Sequence, residues 1–157
     1  MVMPGGSDDR TSLAIAPDDL RQLADHDASP RTLPGRAGPL AALDTGGDGP
    51  SGTVLMVAGY TGSTEDFAPL LAPLAAAGYR VVAIDQRGQY ESPGPDDPAA
   101  YSVAELAADV VDVAHVLRGE TGTPHLLGHC FGGLVSRAAV VGPVLVYALP
   151  DRVAGWS

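Results

Sequence analysis

The chain contains no lysine: all nine basic residues are arginine. A Walker-type phosphate loop, a pyridoxal Schiff base and a Ser-Lys dyad each require a lysine, so all three are excluded. Cysteine is nearly absent as well. Cys130 stands alone, which rules out an internal disulfide or a cysteine-rich metal site and makes a reducing compartment, the cytoplasm, the expectation. Long apolar runs are missing. The longest uncharged apolar run, residues 138–150, covers about 13 residues, short of the ~18 needed to span a bilayer. The first nine residues have neither a basic start nor an apolar segment, so no signal peptide is expected. Positive charge is scarce too: nine arginines face nineteen acids, a net charge of −10. That balance argues against nucleic acid and against an anionic membrane surface as partners.

What is present is enough apolar side chain for a core, 45% of 157 residues, in a length that fits one domain. Residues 1–30 are polar and expected to be mobile, with one short helix predicted at 17–24. Residues 31–43, punctuated by Pro34-Gly35 and Gly38-Pro39, are compatible with a short hairpin. The glycine-rich 46–52 segment reads as a turn, since a phosphate cradle there would need a lysine and a following helix.

From Thr53 onward the pattern sharpens. Residues 53–58 and 80–85 are short continuous apolar runs, as in strands buried on both faces. A helical stretch is predicted at 64–77, stopped by Gly78. A second helix is predicted at 102–118, with Ser102 as N-cap, Glu105 completing a capping box, and Val103, Leu106, Val110, Val113 and Leu117 on its buried face. His125-Leu126-Leu127 forms a third strand, 131–141 a third helix, and 143–149 a further strand. Strands alternating with helices predict an α/β fold: a mostly parallel sheet with helices on both faces.

Gly128-His129-Cys130-Phe131-Gly132-Gly133 lies between a short strand and a helix. Glycines two residues before and two after Cys130 permit a tight, strained strand-to-helix turn that lifts the central side chain above the sheet. A helix N-terminus there favours a thiolate. The competing reading is a small buried cysteine in a glycine-rich turn.

Three motifs in order resemble the α/β-hydrolase family. The first strand ends in Ala58-Gly59-Tyr60, similar to the His-Gly-X oxyanion loop. Asp85-Gln86-Arg87-Gly88-Gln89-Tyr90-Glu91-Ser92 resembles the Asp-X-Arg-Gly-X-Gly-X-Ser loop. The Cys130 turn resembles the nucleophile elbow Gly-His-Ser-X-Gly-Gly, with Cys for Ser. The resemblance implies a C-terminally incomplete α/β-hydrolase domain over 31–157. It implies Cys130 as catalytic nucleophile, Gly128, His129 and Gly132 as elbow residues, and the backbone N–H groups of Tyr60 and Phe131 as the oxyanion hole. Each such donor is worth about 3–4 kcal/mol to an acyl intermediate. Asp85 is implied as a loop-shaping residue rather than a triad acid. The implied activity is hydrolysis of an ester, lactone or thioester of a small molecule through an acyl-enzyme, with no cofactor and no metal.

The family's histidine follows its last strand, and no residue here matches that position; Asp151 matches an acid position used by some members. Of the four histidines, His129 is expected to point away from Cys130 and to be packed or loop-bonded, because neighbours on a strand end face opposite sides. His125 lies about 16 Å back along the strand at ~3.3 Å per residue. His115 belongs to a helix surface and His26 to the N-terminal segment. Acylation without turnover is therefore expected, and an apolar strand at an open sheet edge points to self-association. Two other readings remain: a non-catalytic hydrolase remnant, and a dinucleotide-binding domain built on Gly59, Gly62 and Asp85. Against the latter stand Glu65 at the third glycine position and a 26-residue spacing from Gly59 to Asp85, where ~20 is usual.

Overall fold

The computed structural model describes residues 26–142. The helix predicted at 17–24, the strand at 143–149 and Asp151 lie outside the described residues. The chain order is β1 (Ser29–Gly35), β2 (Gly38–Asp44), β3 (Gly52–Val57), α1 (Ala68–Ala76), β4 (Tyr79–Ile84), α2 (Val103–Thr121), β5 (His125–Gly128) and α3 (Phe131–Val141). The five strands form one sheet in the order β1-β2-β4-β3-β5. β2 runs antiparallel to both β1 and β4, while β3 is parallel to β4 and β5. Four strands therefore share one direction and β2 alone is reversed, which agrees with the mostly parallel sheet expected.

The apolar runs of β3 and β4 are continuous because each face of the sheet has its own core. Leu55, Val57, Val82 and Ile84 face Leu106, Val110, Val113 and Leu117 of α2 and Val135 and Ala139 of α3. Met56, Val81 and Ala83 face Phe67 and Leu71 on the α1 side. The period-2 alternation of a strand sends successive residues to opposite layers, so both must be apolar. Among the described residues no helix is long and apolar enough to cross a membrane.

Two local expectations are corrected. The stretch predicted as one helix over 64–77 is a 3-10 turn, Thr64–Phe67, followed by α1. Pro69 has no N–H to continue the ladder begun at Thr64, and its fixed φ suits the first turn of a new helix. The capping box expected at Ser102 is half made: the Ser102 side chain accepts from the Glu105 N–H at 3.3 Å. A complete box occurs instead at Ser63 and Asp66. The hairpin compatible with 31–43 is present and runs from Ser29 to Asp44.

Candidate active site

β5 delivers the elbow. Its last residue, Gly128, pairs with Val57 of β3, and the His129 N–H extends the ladder to the Val57 carbonyl at 3.1 Å. The chain then reverses at Cys130, which adopts φ +52° and ψ −119° as N-cap of α3. A non-glycine residue at positive φ costs about 1–3 kcal/mol and persists only where its surroundings enforce it. Here the enforcement is mutual contact. A Cβ on Gly128 would collide with the Gly132 carbonyl, and a Cβ on Gly132 would collide with the carbonyls of Val57 and Ala58. The glycine spacing read from the sequence thus lets α3 sit directly on the ends of β3 and β5.

Cys130 is exposed, which sets aside the reading of a buried small cysteine. Its neighbour across the sheet is Gly59, where an added Cβ would stand 3.2 Å from Cys130 Cβ and 3.3 Å from His129 Nδ1. His129 is therefore not packed as expected. It is exposed, and its ring and Cys130 flank the same glycine. The reversal at Cys130 breaks the strand alternation on which that expectation was built.

Tyr60 and Phe131 come together edge to face, with ring centroids 6.3 Å apart. Among the described residues neither the Tyr60 N–H nor the Phe131 N–H donates a hydrogen bond, whereas Gly62, Gly132 and Gly133 next to them do. Beside this pair opens a cleft of about 410 Å³ lined by Tyr60, Gly88, Gln89, Tyr101, Leu106 and Phe131 among others. The remaining histidines lie elsewhere. His125 is exposed at the start of β5, edge-on to Tyr79. His115 is exposed on α2, and His26 Nε2 sits 3.7 Å from Glu65.

Asp85 shapes loops. It is fully buried and accepts from the Thr64 N–H at 2.7 Å and the Glu91 N–H at 3.3 Å. Burial pushes its carboxyl above the ordinary value, against these two donors. With both oxygens engaged it has no face for a ribose. The Asp66 carboxylate also occupies the space over Gly62, so the dinucleotide reading fails at both of its anchor points. The rest of the motif is tied inward. Gln86 Nε2 donates to the Ala58 carbonyl at 2.7 Å, Arg87 pairs with Asp109, and Ser92 Oγ donates to the Asp85 carbonyl at 2.8 Å. The motif was legible in the sequence; the partners Ala58, Thr64 and Asp109 were not, because no local pattern joins residues 21 to 28 apart.

A three-layer α/β sheet that breaks from strand to helix through a strained residue between glycines defines a class of folds. Residues 52–155 match the family model described as alpha/beta hydrolase fold, and the chain belongs to that family. RutD of Variovorax paradoxus, named as a carbamate hydrolase, is 42% identical over 107 residues, covering 66% of this chain and 38% of that protein. Epoxide hydrolase B of Mycobacterium tuberculosis is 35% identical over 115 residues, covering 73% and 30%. Among solved structures, an epoxide hydrolase from an endophytic Streptomyces superposes with a TM-score of 0.68 at 31% identity, over 81% of this chain and 35% of that one. The chain spans about a third of the length of the relatives it matches.

Proposed function

We propose that Cys130 is an acyl-transfer nucleophile toward a small ester, lactone or thioester. The observation that carries this is an exposed thiol on a strained elbow, beside the N–H groups of Tyr60 and Phe131, neither of which donates a hydrogen bond among the described residues. In the proposed step the thiolate forms a C–S bond to the carbonyl carbon while the π pair moves onto oxygen. The two N–H groups hold that oxyanion. Collapse restores the carbonyl and expels the alkoxide or thiolate with its bonding pair, leaving a thioester on Cys130. The carbamate named for RutD presents the same kind of carbonyl.

An epoxide, the substrate named for the other relatives, is disfavoured by sulfur chemistry. Opening it with Cys130 would leave a thioether, which water does not cleave. An acyl thioester is hydrolysable. Deacylation requires a general base to activate water, and His129 is the histidine beside Gly59 and the elbow.

The test is p-nitrophenyl acetate with the purified chain. One p-nitrophenolate per chain in a burst, with an acetyl group located on Cys130 by peptide mass, is the expected result. Its absence, or an unchanged burst in Cys130→Ala, overturns the assignment. Sustained turnover lost in His129→Gln would make His129 the base.

A further inference from the structure

The loop 59–63, which carries the Tyr60 N–H, is held at both ends by two consecutive residues of the next motif. At its far end the Thr64 N–H donates to Asp85 Oδ1 at 2.7 Å. At its near end Gln86 donates to the Ala58 carbonyl at 2.7 Å. A carbonyl only accepts, so the Gln86 atom facing it is Nε2. Gln86 is 3% exposed, and its Oε1 is buried without a partner among the described residues. A buried acceptor left unpaired costs about 1–3 kcal/mol. An unbranched apolar side chain of the same length would fill the same space but leave the buried Ala58 carbonyl unpaired instead, so what distinguishes a glutamine here is its bond to that carbonyl.

What the amide supplies is orientation. The Gly59–Tyr60 peptide is fixed from one side because the Gly62 N–H donates to the Gly59 carbonyl at 3.1 Å. The preceding peptide is joined to it only through the φ and ψ of Gly59, which lacks the Cβ that restricts other residues. The Gln86 bond to Ala58 fixes that preceding peptide. The Ala58 carbonyl is also one of the atoms against which Gly132 of the elbow helix packs. One carbonyl is thus gripped by Gln86 and touched by the helix that carries the Phe131 N–H.

We propose that Gln86 is a positioning residue that sets the Tyr60 N–H against the Phe131 N–H so that both reach one oxyanion. The role rests on the acyl-transfer function proposed for Cys130. The test compares two reactions of that thiol in the full chain and in Gln86→Met. Acylation by p-nitrophenyl acetate develops an oxyanion. Alkylation by iodoacetamide displaces iodide at a saturated carbon and develops none at this site. Outright loss of one oxyanion donor costs about 10²–10³ in rate. A loosened donor is expected to slow the burst about tenfold, with the alkylation rate unchanged and the melting temperature nearly so, since one unpaired buried acceptor, Gln86 Oε1, is exchanged for another, the Ala58 carbonyl. A parental burst that Gln86→Met leaves unchanged overturns the proposal alone. A variant that unfolds, or that loses both reactions in the same proportion, makes Gln86 structural and overturns it as well. No burst in the parent overturns the acyl-transfer function and this role together.

Discussion

Arg87 meets Asp109 through two parallel hydrogen bonds, Nε to Oδ2 at 2.9 Å and Nη2 to Oδ1 at 2.7 Å, with both side chains nearly excluded from water. Asp109 also accepts from the Arg36 N–H at 2.6 Å, and Arg87 Nη1 donates to the Ala100 carbonyl at 2.7 Å. One carboxylate thereby joins the β1–β2 hairpin, α2 and the loop after β4. Removing one member of a buried pair leaves the other charge uncompensated, at a cost of about 3–5 kcal/mol. Arg87→Met and Asp109→Leu are each expected to lose that much in urea unfolding. The double substitution is expected to recover a large part of the loss, so a strictly additive double variant would contradict the coupling.

At the opposite end of the strands Asp44 is gripped by two arginines, accepting from Arg80 Nε at 2.9 Å and Arg31 Nη1 at 2.8 Å. Burial pushes its carboxyl up, but the hydrogen bonds from Arg80, Arg31 and the Gly46 N–H outweigh it and hold the pKa at about 2, against an ordinary 3.8. The depressed value means that Asp44 stabilises the fold fully above its unfolded pKa and loses that contribution as pH falls from about 3.8 toward 2. The difference corresponds to about 2 kcal/mol at neutral pH. Asp44→Asn should be less stable than the parent by that amount at pH 7. The gap should shrink below pH 4 and nearly close by pH 2, as followed by denaturant unfolding at each pH. A gap independent of pH would show that charge is not its origin.

The strain at Cys130 has a measurable counterpart. Glycine adopts φ +52°, ψ −119° without the Cβ penalty but adds freedom to the unfolded chain, about 0.5–1 kcal/mol. The net expectation for Cys130→Gly is a chain about 1 kcal/mol more stable, with the acylation burst abolished. Thermal melts and the p-nitrophenyl acetate assay check the two halves separately.

Gly132→Ala should do the reverse. Its methyl would collide with the Val57 and Ala58 carbonyls, which are backbone atoms and cannot rotate aside. A loss of about 3 kcal/mol is expected, the upper end of ordinary overpacking. Gly119→Ala, whose Cβ meets nothing within 4 Å, should leave stability unchanged or slightly improved and serves as the control.

Among the described residues β5 pairs with β3 alone, and Leu127 on it is 38% exposed, with Leu134, Val140 and Val141 also exposed on α3. An unpaired edge beside apolar surface is a template for another chain. Sedimentation at micromolar concentration is expected to show a dimer or larger species, shifted toward monomer by Leu127→Arg. A sharp monomer would mean that the edge is covered within the chain.

The sequence by itself determined the local elements and the elbow. The apolar runs of β3 and β4, the 131–141 span of α3 and the glycine spacing around Cys130 follow from short-range rules: period-2 burial, a glycine where a helix meets a strand end, a helix begun by a tight turn. These rules need no knowledge of what packs against the segment. They failed where a proline broke the ladder at Pro69 and where the reversal at Cys130 left His129 exposed beside Gly59. Only the tertiary structure decided that β4 lies between β2 and β3, that Asp85 and Gln86 hold the two ends of the loop bearing Tyr60, and that Arg87 finds Asp109. The physical reason is that each of these pairings joins residues more than a helix apart in sequence. Their partners are selected by the crossover of β3, α1 and β4 and by the stacking of α2 and α3 on one face, and neither leaves a periodic trace in the chain.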